Sequence, residues 1–348
     1  MTTPASQLVG QTLDGGWKVE GSVERPAGAT GGSFSVAYIV RSTRSGEKAF
    51  LKALDYARAL AADDPAIALE HMVTAFIFER KLLERCKRNR LSRIVRIIDN
   101  GTFVLDASNP YSTIQYLIFE LADGDIRKFV NFDKHFDEAW VLRTAHEVAA
   151  ALQQLHNAEV AHQDLKPSNV LRFSKTHAKL ADLGRASARD GSSPFDDLPI
   201  AGDLSYAPPE LLYGHVDGDW RRRRIGCDMY LLGSLVCYLF TGSSMSHRLL
   251  SELDDTYHFK KWGEPYETVL PHLQNVFCQA IRDLKTKIKS ASAEEIAQCV
   301  KQLCDPNPDS RGHPVNIRLG FNQYGLDRYI SKFDLLARRA EHTLAHSK

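Results

Sequence analysis

Apolar and polar positions alternate from Trp17 to Val23, from Phe34 to Val40 and from Lys48 to Leu54, the period of half-buried strands. Over residues 65–89 the period lengthens, and Ile67, Leu69, Met72, Val73, Phe76, Ile77, Leu82 and Leu83 fall on the stripe of a long helix. Strand signals return at Ile94 to Ile98, Thr102 to Leu105 and Ile114 to Phe119. From Asp137 onward the pattern is mainly helical, at Asp137 to His156, Asp228 to Thr241, Leu270 to Lys289 and Ala293 to Leu303. Strands with one principal helix, followed by helices, predict an α+β chain of two lobes joined near Glu120 to Gly124. Residues 1–14 are small and polar and are expected to be flexible. The small β-rich lobe is expected over 15–120 and the large, mainly helical lobe over 121–315. Within 316–348, Leu326, Tyr329, Ile330, Phe333, Leu336 and Ala337 recur at helical spacing, which predicts a helical extension packed on the large lobe.

With 348 residues the chain can build two cores, and 43% hydrophobic with 25% charged residues suits a globular protein. Lys and Arg number 44 against 43 Asp and Glu, so no overall field draws the chain to nucleic acid or to a membrane. No apolar run approaches the roughly 18 to 20 residues of a spanning helix, and membrane insertion is not expected. Met1 to Gln7 shows no basic-then-apolar leader. Cys86, Cys227, Cys237, Cys278, Cys299 and Cys304 are scattered with no C-x-x-C pair, which points to reduced thiols and a cytoplasmic setting.

Candidate chemistry concentrates in His162-Gln163-Asp164-Leu165-Lys166-Pro167-Ser168-Asn169, where an acid, a base and an amide share one short loop after an apolar segment. Asp182-Leu183-Gly184 follows, closing the strand-like run Ala178-Lys179-Leu180-Ala181. A carboxylate and an amide on two neighbouring turns can converge on metal-bound phosphates. Together the two loops resemble the catalytic and metal loops of eukaryotic-like serine/threonine protein kinases. The resemblance implies a two-lobed protein-kinase-like fold that transfers the γ-phosphoryl of Mg·ATP to a protein hydroxyl. It implies Asp164 as the catalytic base and Lys166 as the cation that offsets charge on the transferred group. Lysine at that place is also the mark of serine/threonine rather than tyrosine kinases. Asn169 and Asp182 are implied as Mg²⁺ ligands. His162 is implied to pack beneath the metal loop. Gln163 stands where the family usually carries the arginine that meets an activation-segment phosphate, so a loop phosphate is not expected to be strictly required.

In the small lobe, Ala49-Phe50-Leu51-Lys52 resembles the family's V-A-I-K, which implies Lys52 on the α- and β-phosphates with Glu79 as its partner. The turn Gly28 to Tyr38 resembles a nucleotide flap in which backbone groups of Gly31, Gly32 and Ser33 cradle phosphate under the tip residue Phe34. Phe50 replaces the small alanine that flanks adenine. In the hinge, the resemblance implies Phe119 as gatekeeper, backbone groups of Glu120 and Ala122 on the adenine edge, and Asp125 near ribose or peptide.

The end of an activation segment is resembled by Gly202-Asp203-Leu204-Ser205-Tyr206-Ala207-Pro208-Pro209-Glu210, its buried support by Asp228, and the partner of Glu210 by Arg311. Small-molecule kinases share the H-x-D-x-x-x-x-N loop but lack that segment, so a protein substrate with a Ser or Thr acceptor is implied. The stretch 241–293, with Tyr257, Phe259, Trp262, Tyr266 and Phe277, is open to two readings, a protein-partner platform or a self-packed elaboration. Arg221 to Arg224 reads as a solvated turn, and Ser187, Ser192, Ser193 and Ser205 are candidate autophosphorylation sites. Two functions compete, an active kinase and a pseudokinase-type nucleotide-binding scaffold. The irregular glycine-rich turn and Phe50 favour the scaffold; the complete set Lys52, Asp164, Lys166, Asn169 and Asp182 favours the enzyme.

Overall fold

Strand-period segments of the N-terminal third build one antiparallel sheet in the computed structural model, which describes residues 3–24, 35–109, 112–132, 136–174 and 177–346. The sheet runs β1 (Thr12–Leu13), β2 (Trp17–Ser22), β3 (Ser35–Ser42), β4 (Lys48–Leu54), then β6 (Thr113–Glu120) with β5 (Ile97–Val104) outside it. Ala49, Leu51 and Ala53 of β4 enter a core with Val19, Tyr38, Val40, Ile114, Tyr116 and Ile118. Phe50 and Lys52, one residue out of phase, therefore lie on the opposite face. These elements belong to a first unit, Met1–Ala122; Asp123–Lys348 form a second.

Two expectations need correction here. Residues 3–14 are not a loose leader, because Ala5, Leu8 and Leu13 are buried in the first core. The Tyr38 hydroxyl donates to the Ala5 carbonyl at 2.5 Å, so three apolar side chains and one buried hydroxyl tie the segment down. The two short strands expected at 94–98 and 102–105 are the single strand β5, with a bulge between Ile97 and Asp99. Asp99-Asn100-Gly101 has the composition of a turn, yet a Cβ on Gly101 would lie 2.4 Å from the Tyr116 hydroxyl. Glycine lets the strand continue against that ring.

Between β4 and β5 come the short helix α1 (Ala57–Leu60) and the long helix α2 (Pro65–Arg88). Asp64 caps α2 by accepting the N–H groups of Ala66 and Ile67, each at 3.1 Å, and Pro65 occupies its first turn.

In the second unit, β7 (Gly124–Asp125), β9 (Val170–Arg172) and β10 (Ala178–Leu180) form one small sheet, while β8 (Val160–Ala161) pairs with β11 (Ser187–Ala188). Around them lie α3 (Glu138–Asn157), α4 (Pro209–Leu212), α5 (Gly226–Thr241), α6 (Met245–Glu252), α7 (Tyr266–Lys287) and α8 (Ala293–Leu303). Helix α5 is buried almost all round and packs against α3, α6, α7 and α8, which is why its sequence carries so few polar residues. The chain closes with α9 (Pro314–Leu319) and α10 (Asp327–His346). Helix α10 buries Tyr329, Phe333, Leu336 and Ala337 and lies along α3, where Arg143 meets Asp334 at 2.6 Å and Glu341 at 2.8 Å.

Candidate functional site

Each unit gathers its own share of the residues singled out above. In the first, Lys52 projects from the outer face of β4, and its Nζ lies 3.0 Å from both carboxylate oxygens of Glu79. Glu79 stands in the buried stripe of α2, between Phe76 and Leu83, where the helical period calls for an apolar side chain. A carboxylate there is tolerable only with its cation, so the pair fixes where the Lys52 ammonium sits. Phe50 shares the face of Lys52, and its ring centroid is 6.5 Å from that of Phe119, its cross-strand neighbour on β6. Glu120 ends β6, its N–H donating to the Arg96 carbonyl at 3.1 Å, and Ala122 is the last residue of the unit. Gly31, Gly32, Ser33 and Phe34 lie outside the described residues.

In the second unit the loop between β8 and β9 carries the remaining set. Asp228, at 0% exposure on α5, anchors this loop: its Oδ2 accepts the His162 N–H at 2.7 Å, and its Oδ1 the Gln163 N–H at 2.8 Å. His162 Nε2 lies 3.0 Å from the Ala181 carbonyl, and its Nδ1 accepts the Asp164 N–H at 3.3 Å, which assigns the ring proton to Nε2. The Ala181 N–H donates to the Asn169 carbonyl at 2.9 Å. These bonds set Asp182, in the left-handed conformation at φ 61°, directly after the residue that ties the two loops together.

Asp164 is held from several sides. Its Oδ1 accepts the N–H of Asp203 at 2.9 Å, and its Oδ2 accepts Asn169 Nδ2 at 3.0 Å and faces Lys166 Nζ at 3.2 Å. The chain around Asp203 comes this close because residue 202 is glycine; a Cβ there would meet the Gln163 carbonyl at 2.1 Å. Lys166 also donates to Asp203 Oδ2 at 3.1 Å. Burial alone would lower the Lys166 pKa, but the carboxylates of Asp164 and Asp203 outweigh it and raise the value, so the ammonium keeps its proton. Sequence reasoning did not single out Asp203; the only signal was an acid just after the glycine of the Gly202 to Glu210 run.

The donor set fits a hard divalent cation. Asn169 Nδ2 donates to the Asp164 carbonyl at 2.8 Å as well as to its carboxylate. Two acceptors on that side fix the amide, so Asn169 Oδ1 is turned the other way, as a cation ligand must be. Among the described residues no group of three or more His, Cys, Asp or Glu is arranged to hold a metal.

The sequence matches the protein kinase domain family over residues 28–317. The chain belongs to the protein kinase family. Among curated proteins, this kinase-family chain is similar to an Aurora kinase of Debaryomyces hansenii, 30% identical over 138 residues, 40% of this chain and 31% of that protein. It is similar to the CTD kinase subunit alpha of Schizosaccharomyces pombe, 25% identical over 233 residues, 65% of this chain and 36% of that protein. A calcium and calcium/calmodulin-dependent serine/threonine-protein kinase of Oryza sativa subsp. japonica is 29% identical over 168 residues, 45% of this chain and 30% of that protein. The matched part thus spans about a third of the length of these relatives.

Elsewhere in the kinase domain, Asp125 is taken by Arg127, whose Nε and Nη2 donate to its two oxygens at 2.8 and 3.1 Å. Within 241–293, Tyr257 stacks on His272 with centroids 3.8 Å apart and lies 5.7 Å from Trp262. Tyr266 lies 5.9 Å from Tyr213. The basic run is not a solvated turn. Arg224 is at 0% exposure, and Arg222 is paired with Asp217 at 2.5 Å and with Asp309. Ser187 and Ser193 are buried, whereas Ser192 and Ser205 are exposed.

Proposed function

We propose that the chain is an active serine/threonine protein kinase that moves the γ-phosphoryl of Mg·ATP onto a Ser or Thr hydroxyl of a protein. The observation that carries the reading is the Asp164 carboxylate, only 7% exposed and held by Asp203, Asn169 and Lys166. A carboxylate fixed in one orientation suits a general base that takes the acceptor's proton as the new O–P bond forms. Lys166, kept protonated by its two carboxylates, offsets the charge on the transferred group. Asn169 and Asp182 would hold Mg²⁺, which when bound neutralises phosphate oxygens. Lys52, positioned by Glu79, is assigned to the α- and β-phosphates, and backbone groups of Glu120 and Ala122 to the adenine edge. Six cysteines without disulfides fit a reducing, cytoplasmic setting.

Radiolabelled ATP with a generic protein acceptor tests this. Label on Ser or Thr is expected from the wild type, with a fall of about 10²–10⁴-fold in Asp164→Asn. Incorporation that persists unchanged in that variant would remove Asp164 from its role. A nucleotide-binding scaffold is favoured by one observation, the Phe50 ring on the Lys52 face near Phe119. ATP binding by the wild type with no transfer to any acceptor selects that reading.

A further inference from the structure

Arg224 is at 0% exposure, and its guanidinium is met by carbonyl and amide oxygens, with the carboxylates of Asp196 and Asp228 farther out. It leaves a wide π-helical turn, Arg221–Ile225, just before α5. Its Nη2 donates to the carbonyls of Phe195, Asp196 and Leu198 at 3.3, 2.9 and 2.9 Å. Its Nη1 donates to Gln163 Oε1 at 3.2 Å. Gln163 in turn donates through Nε2 to the Arg224 carbonyl at 2.8 Å and to Asp228 Oδ1 at 3.1 Å. Its backbone is held in the left-handed conformation, at φ 66°. One guanidinium thus joins three carbonyls of the segment 195–198 to the residue that precedes Asp164. The two terminal nitrogens of a planar fork suit such a cage, and a point charge does not, while Nε is left without a hydrogen-bond partner among the described residues.

The same segment is tied by neutral and charged side chains of its own surroundings. Ser187 Oγ donates to Asp196 at 2.5 Å and accepts from Trp220 Nε1 at 2.9 Å. Ser193 Oγ donates to the Ala186 carbonyl at 2.8 Å, and the Arg185 guanidinium lies 4.4 Å from the centroid of the Phe195 ring. We infer that Arg224 is a positioning residue that holds 195–198, and through Gln163 the loop bearing Asp164, in working geometry without a phosphate on the segment. A neutral amide at residue 163 is part of the device, because it accepts from Arg224 while donating to Asp228 Oδ1, and a guanidinium there has no acceptor to offer Arg224 and sets a like charge beside it. The inference rests on the kinase reading above for its catalytic consequence, but its structural half does not need turnover.

The test uses the full chain, stripped of phosphate by a protein phosphatase and checked by intact mass. The wild type is expected to keep slow amide exchange over 195–199 and to keep its transfer activity. Arg224→Met is expected to speed exchange there by more than about tenfold while the amides of 229–240 keep their protection. Its kcat is expected to fall by about 10–100-fold with KM for ATP within about twofold. Gln163→Arg is expected to show the same loss, and Gln163→Arg/Arg224→Gln, which restores a single guanidinium, to recover part of it. Unchanged exchange in both Arg224→Met and Gln163→Arg overturns the inference, as does an unprotected segment in phosphate-free wild type. If Arg224→Met fails to fold, the Gln163→Arg pair decides by the same readouts. A well-protected wild type that transfers no label to any acceptor defeats the kinase reading alone.

Discussion

Arg311 grips Glu210 through two parallel hydrogen bonds, Nη1 to Oε1 at 2.6 Å and Nη2 to Oε2 at 2.7 Å, across 101 residues of chain. The guanidinium is at 0% exposure and also donates to the carbonyls of Gly226 and Asp305. Burial pulls its pKa down, the Glu210 carboxylate pushes it up, and the carboxylate prevails. Arg311→Ala leaves a buried carboxylate and two carbonyls unmet, and is expected to cost about 3–5 kcal/mol. Urea unfolding of the second unit's tryptophan signal measures it, and a loss below about 1 kcal/mol, the worth of an exposed pair, contradicts the account.

Lys52 and Glu79 are expected to behave as one device. Lys52→Met removes the ammonium that faces both oxygens of the buried Glu79 carboxylate, and Glu79→Gln removes the charge that faces Lys52. Both variants should lower kcat/KM for ATP by about 10²-fold, and the double variant should lose little more than either single one, because coupled residues are not additive. Fully additive losses would separate their roles.

Asp228 supports the catalytic loop by accepting from two backbone N–H groups, from Gln163 Nε2 and from His156 Nε2, the last at 2.9 Å. Asp228→Asn replaces one acceptor oxygen with a donor. At least one buried N–H is then unmet, a loss of about 1–3 kcal/mol. Transfer is expected to fall by more than stability alone explains at a temperature where the variant is fully folded. Circular dichroism melting beside initial rates decides this; full activity in a folded variant would refute the supporting role.

Acid is expected to loosen α10 before the rest of the second unit. The Arg143 hydrogen bond holds the Asp334 carboxyl below its ordinary 3.8, and Lys332 holds Glu295 below its ordinary 4.5. Folded values lower than unfolded ones mean that the unfolded chain binds more protons in this window, so stability rises with pH there. The contribution is complete above those ordinary values and fades as pH falls through the lower folded ones. Both carboxylates are partly exposed, so each pair is worth only about 0.2–1 kcal/mol and salt should weaken it. Limited proteolysis near Leu326 between about pH 6 and about pH 3 follows the docking, and equal cleavage across that range would exclude the ion pairs from it.

Much of the local architecture was readable from side-chain period. The alternation of β4 sorts Ala49, Leu51 and Ala53 from Phe50 and Lys52, and the core takes the first three. The stripe of α2 was visible too, as was the acid Glu79 within its reach. Period failed at β5, where the turn-like Asp99-Asn100-Gly101 continues as strand, because a ring from a neighbouring strand lies where the glycine has no Cβ. It failed again at residues 3–14, whose three buried apolar side chains, Ala5, Leu8 and Leu13, fall at no regular period that would announce a packed segment.

What the sequence determined by itself was chemical: which acids, amides and bases share one loop, and which strand face carries Lys52. Period and short-range spacing suffice for that, since they act over a few residues. The tertiary structure alone decided which charges are interior and what meets them. Nothing local distinguishes Arg224 from the three arginines before it, yet its carbonyl partners lie 26, 28 and 29 residues away. Asp203 meets Lys166 across 37 residues. A buried charge is tolerable only where its partners converge, and that convergence is a property of the folded chain.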